Sequence, residues 1–197
     1  MVKKFPAKTN NPEFKELVDK FLPNLSPDDI FKLGSFGGTY WRPIVSQVTG
    51  KIHKNRHLKF KRRGWFRGLS NDKLTKPFDE YDVNINKYKV KCGSTLEDWE
   101  SKNWITKHDP YGWVEWYCNF YLGRRNIEED TRQIQRWLNF CGPNGRFKRS
   151  LINKVKAADS KAGNPLGTSY NDPSISPVIR QSLQHWGYKL TRKDVTN

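Results

Sequence analysis

Between Lys51 and Gly68 the chain places eight cations, Lys51, Lys54, Arg56, Lys59, Lys61, Arg62, Arg63 and Arg67, with His53 and His57 and no acid. Charges this dense find no neutralising neighbours in sequence. A polyanion relieves their repulsion, because Lys and Arg displace the counterions condensed on its phosphates. Trp65 and Phe66 directly follow Lys61-Arg62-Arg63-Gly64. Rings interleaved with cations suit the bases of a single strand or a bent duplex. Rings also serve to anchor a segment to its core, and a solvated basic loop is the plainer reading of the run. Lys61-Arg62-Arg63 is in addition a short cluster of the kind found in nuclear-import patches.

Three glycine loops carry more cations: Gly34-Ser35-Phe36-Gly37-Gly38 leading to Arg42, Gly123-Arg124-Arg125, and Gly142-Pro143-Asn144-Gly145 leading to Arg146, Lys148 and Arg149. Glycine lets backbone amides turn toward an anion, and arginine binds phosphate bidentately. The plainer reading of each is a helix end followed by exposed charge. In the third loop the cations open a helix, where the macrodipole disfavours them unless an anion is bound. None of the three matches a P-loop or a dinucleotide fingerprint, so nucleotide hydrolysis has no support. Arg132 and Arg136 lie one helical turn apart; Glu128, four residues before Arg132, predicts an intrahelical ion pair for it. Arg136 stays open as a donor to base edges or phosphates.

A metal-dependent nuclease needs two or three carboxylates converging on one ion. Asp79, Glu80 and Asp82 cluster in sequence, and His108-Asp109 precedes Glu115. Asp109 reads more simply as a helix N-cap ahead of Pro110, and Glu115 as part of a polar helix side. His53 and His57 have the spacing of helical metal ligands but sit among cations with no third ligand. Cys92, Cys118 and Cys141 form no CxxC and read as buried small hydrophobes in a reducing compartment. No catalytic residue, cofactor or metal is expected.

The elements that must position these residues are mostly helical. Pro12 and Pro27 open two short helices, the second ending at Gly34. Ile44 to Val48 suits a strand, and Tyr81, Val83 and Ile85 alternate as a half-buried strand would. Ser94-Thr95-Leu96-Glu97 reads as a capping box with Ser94 as the cap. Asp109-Pro110 starts the strongest helix, in which Trp113, Trp116, Tyr117, Phe120 and Tyr121 form an all-aromatic core stripe ending at Gly123. Further helices run from about Glu128 to Cys141, from about Gly145, and from a Ser176 cap through Trp186. The fold class expected is mainly α with a small β hairpin or sheet; α+β is the alternative.

The 197 residues carry a net charge of +16, and Phe, Trp and Tyr number 11, 8 and 8, giving a core rich in rings. A chain of this length buries enough surface to fold without disulfides or a structural metal. No apolar stretch approaches the ~18 residues of a membrane span, and Met1-Val2-Lys3-Lys4-Phe5 lacks the hydrophobic region of a signal peptide. A soluble intracellular protein is expected. Its organisation is read as a flexible basic arm over 1–10, a single globular domain over 11–190 with a flexible crossing near 160–172, and a tail over 191–197.

The runs LGSFGGTYWRPIVS (33–46), NKYKVKCGSTLEDWE (86–100), DPYGWVEWYCNFYLGRR (109–125), RQIQRW (132–137), CGPNGRFKRSLINK (141–154) and DPSISPVIRQSLQHWGYKLT (172–191) resemble an uncharacterised family. That family belongs to large DNA viruses of amoebae, the marseilleviruses among them, with algal and fungal relatives, and no activity is established for it. The resemblance covers most of the chain beyond the first 25 residues. It implies a setting, the virion, the viral factory or the host nucleus, and no reaction.

The function expected is binding of nucleic acid, DNA ahead of RNA, or of another polyanion, without a membrane. The 51–67 cations and Trp65 are the main contact, and Arg42, Arg124, Arg125, Arg146, Lys148 and Arg149 support it. A metal-dependent nuclease and a packaging protein with other acidic partners are the alternatives.

Overall fold

The computed structural model describes residues 3–197. In chain order its regular elements are α1 (Pro12–Asp19), α2 (Pro27–Lys32), β1 (Ile44–Ser46), β2 (Lys51–His53), α3 (Leu58–Lys61), α4 (Leu96–Ser101), α5 (Trp113–Tyr121), α6 (Ile127–Cys141), α7 (Arg146–Lys161), α8 (Pro177–His185) and α9 (Arg192–Thr196). The fold is mainly α with one antiparallel hairpin, in which Ile44, Val45 and Ser46 pair with His53, Ile52 and Lys51. No helix among the described residues is long and apolar enough to cross a membrane. The chain forms two compact units: Ser26–Arg124, and the segment up to Leu25 together with Arg125–Asn197.

In the Ser26–Arg124 unit, the Ser26 hydroxyl and the Asp29 carboxylate form the capping box that starts α2. The core is a cluster of rings around Trp41, which is fully buried and meets Tyr40 edge-on at 4.9 Å and Tyr111 at 5.3 Å. The aromatic stripe of α5 packs inward as its period demands, with Trp116 and Phe120 fully buried and their rings stacked at 4.9 Å. Burying one such ring contributes about 2 kcal/mol.

The start of α5 differs from the expected Asp109 cap. Gly112, at φ +77°, is the N-cap and makes no side-chain bond. The Tyr40 hydroxyl takes that part, accepting from the amides of Val114 (3.0 Å) and Glu115 (3.1 Å) and donating to the Tyr111 carbonyl (2.6 Å). The Tyr111 hydroxyl in turn lies 2.6 Å from the Arg42 carbonyl and 3.0 Å from that of His53. One hydroxyl thus ties together the two ends of the hairpin.

Two other local expectations are corrected. Tyr81, Val83 and Ile85 lie in no strand; 3₁₀ turns span Phe78–Glu80 and Val83–Ile85, the latter capped by the Asp82 carboxylate. An alternating pattern alone supplies no pairing partner, and the local Asp82 bond wins. The capping box of α4 uses Thr95 and Asp98, one residue later than Ser94 and Glu97.

The first glycine loop serves packing. A Cβ on Gly37 would stand 2.5 Å from the Tyr81 ring, and one on Gly34 would stand 2.0 Å from the Ile85 carbonyl oxygen. The amide of Gly37 donates to the Asn86 side chain at 2.8 Å. This amide is therefore turned to the protein itself and away from any bound anion.

In the other unit, Phe21 meets Trp137 of α6 edge-on at 5.1 Å. The Trp137 indole N–H donates to the Trp186 carbonyl at 2.9 Å. Residues 1 and 2 of the expected arm lie outside the described residues. Phe5, further along it, is buried against Phe21. The crossing near 160–172 is organised by Asp159, whose carboxylate accepts from the amides of Gly167 (2.7 Å) and Ser169 (2.8 Å). Ser176 does not cap α8 through its side chain and stands at φ +56°. The expected tail is a helix: Thr191 and Asp194 form a capping box for α9, and Val195 is fully buried.

Candidate functional site

The 51–67 cations divide by what they touch. Lys51, Lys54, Lys59, Arg62, Arg63 and Arg67 are exposed and Lys61 half-buried, and none of the seven is in an ion pair among the described residues. Arg56 is different. Its Nε–H donates to Glu115, a fully buried carboxylate on α5 that also accepts from the Tyr111 amide at 3.1 Å. Burial pushes the Glu115 carboxyl up, and the Arg56 charge opposes that shift. Arg56 is thus an internal anchor of the basic segment, and Glu115 is buried, not on a polar helix side.

Trp65 is half-buried, stacked on Phe60 at 5.8 Å and set edge-on to Tyr121 at 5.5 Å. One face of this ring is therefore occupied from within. His57 is buried, and burial together with nearby Lys61 lowers its pKa. The His53 ring lies 2.7 Å from the Thr49 hydroxyl. Among the described residues no three His, Cys, Asp or Glu side chains are grouped to hold a metal ion, so Asp79, Asp82, Asp109 and Glu115 do not converge as a nuclease site would need.

The supporting cations also divide. Arg124 binds both oxygens of the buried Asp109, which accepts from the Asn119 amide at 2.7 Å as well. Arg125 donates to the Pro6 carbonyl at 2.9 Å. Lys148 pairs with Asp194 at 2.7 Å, and its ammonium lies 4.7 Å from the Tyr188 ring centroid. Arg146 is exposed over the Phe147 ring, and Arg149 is exposed in no ion pair among the described residues. Arg124 and Lys148 are thus held in structural ion pairs inside the fold. A buried carboxylate stripped of its cation would cost more than an exposed phosphate contact returns.

Arg132 pairs with Glu129 at 2.7 Å and not with Glu128, because the i,i+3 partner lies on the buried side of α6. Arg136 donates to the Gln133 side chain at 3.0 Å and lies 5.3 Å from the Trp186 ring centroid. Burial brings its pKa down to about 10.

A feature with no local signature in the sequence lies beside the hairpin. A cleft of about 50 Å³ is walled by Phe78, Tyr81, Trp99 and Tyr111, with Arg42 and Cys92 also on its lining. The Arg42 guanidinium stands 4.8 Å from the Phe78 ring centroid, and its Nη1 donates to the Thr39 carbonyl at 3.1 Å. No carboxylate pairs with it among the described residues, and burial lowers its pKa. Lys91 adds a second cation, its ammonium 5.3 Å from the Tyr81 ring centroid.

Comparison of the chain with known protein families, curated proteins and solved structures finds no match.

Proposed function

We propose that this protein binds nucleic acid, DNA ahead of RNA, through the exposed cations of residues 51–67, in the viral or host-nuclear setting that the family resemblance implies. The observation that carries the reading is the contrast in pairing. Arg56, Arg124 and Lys148 meet carboxylates inside the fold, whereas Lys51, Lys54, Lys59, Lys61, Arg62, Arg63 and Arg67 meet none among the described residues. Cations on a folded framework that form no ion pair are placed to replace the condensed counterions of a phosphate backbone. Arg42, Arg125, Arg146 and Arg149 remain as supporting contacts within their own units. Trp65, half-buried beside these cations, supplies a ring for stacking.

The test is binding of duplex and single-stranded DNA and RNA across a salt series, with wild type and the Lys61→Ala/Arg62→Ala/Arg63→Ala variant, first in EDTA and then with magnesium. Removing three phosphate contacts should flatten the plot of log K against log salt by about 2 to 3 units. Absence of binding by wild type at about 100 mM salt would overturn the reading. Cleavage products appearing only with magnesium would replace it with a nuclease.

A further inference from the structure

The cleft beside Arg42 combines two features that binding sites share and interiors avoid. Its walls are rings whose faces and edges stack on planar ligands, and its cation has lost part of its hydration while forming no ion pair among the described residues, Glu97 acting on it only through its charge. The other half-buried arginines that line buried acids, Arg56 and Arg124, are neutralised by Glu115 and Asp109. Arg42 keeps Nε and Nη2 without a hydrogen-bond partner among the described residues, since Nη1 alone reaches Thr39. Those two groups form the edge that grips a phosphate bidentately.

We infer that this cleft is a nucleotide subsite, in which the edge of a base enters beside Trp99 and the phosphate meets Arg42. The inference deepens the nucleic-acid reading and rests on it, because the same nucleotide can arrive free or as one residue of a strand. Size gives the preference. A cavity that encloses a benzene ring measures about 150 Å³, so a cleft of about 50 Å³ takes one edge of a single ring. Pyrimidine nucleotides fit that better than purines. Lys91 adds long-range attraction for the phosphate. Tyr81 is held in place by Gly37, whose backbone lies against the ring.

The test titrates UMP, AMP, uridine and an oligothymidylate of eight residues into wild type, Arg42→Gln and Trp99→Phe, read by calorimetry and tryptophan fluorescence. UMP should bind wild type more tightly than AMP and quench its emission. Trp99→Phe should weaken UMP and lose that quench, because a smaller ring replaces one wall of the cleft. Arg42→Gln should weaken UMP by about tenfold and uridine by far less, because uridine carries no phosphate for Arg42 to grip. If the oligonucleotide binds wild type but UMP does not, and both variants hold the oligonucleotide as tightly as wild type, the subsite is wrong and the basic-segment reading stands. If UMP binds as expected and no oligonucleotide does, the subsite stands for free nucleotide and the nucleic-acid reading falls. Binding of neither overturns both.

Discussion

Arg56, in the most basic stretch of the chain, donates its Nε–H to the fully buried carboxylate of Glu115, 59 residues away on α5. The bond joins the basic segment to the best-buried helix of its unit. Lys59 stands near enough to feel the charges of Glu115 and Asp109, although burial lowers its pKa overall. The segment is thus a charged surface with an electrostatic root.

Arg56→Met should destabilise the protein by about 2 kcal/mol at pH 8 and by less at pH 5. The sign follows from the raised pKa of Glu115. A folded-state pKa above the unfolded value of about 4.3 means that the folded chain holds the proton better, so the penalty is absent at low pH and grows as pH rises. Urea unfolding at the two pH values checks this. Equal losses at both would show that Glu115 does not carry the charge.

His185 is buried, and burial brings its pKa down to about 3. Folding therefore excludes its proton: stability is complete above the unfolded value of about 6.5 and is lost as pH falls below it. Between pH 7 and pH 5 this amounts to roughly 2 kcal/mol. His53 and His57, also lowered, act in the same direction. His185→Gln should remove most of the slope in chemical denaturation at pH 7, 6 and 5. An unchanged slope in that variant would exclude His185 as its source.

Gly37→Ala should cost about 2 kcal/mol or more, because the added Cβ meets the Tyr81 ring on a backbone at φ +55°. Gly50→Ala is the control: its φ is +63° but nothing lies within 4 Å of the added atom. That variant should lose only the backbone part, about 1 kcal/mol. Thermal unfolding of both separates steric cost from dihedral cost. Equal losses would mean that Tyr81 yields freely.

The aromatic stripe of α5, the proline-led starts of α1 and α2 and the glycine stop after α6 are legible in the sequence. Each depends on spacing and capping within a few residues, and those rules act locally. The exposure of Arg62, Arg63 and Arg67 is legible too, since a run without acids has no neighbour to bury it. Which cations are committed elsewhere is a matter of tertiary structure. Arg56, Arg124 and Lys148 look like their neighbours in sequence, and only the fold brings Glu115, Asp109 and Asp194 against them. The same holds for the glycine loop, which reads as an anion cradle until Tyr81 and Ile85 are seen to press on it, and for the cleft, whose walls come from four separated segments. A counter-charge, a close backbone approach and a concave wall are relations between distant residues, and no local pattern encodes them.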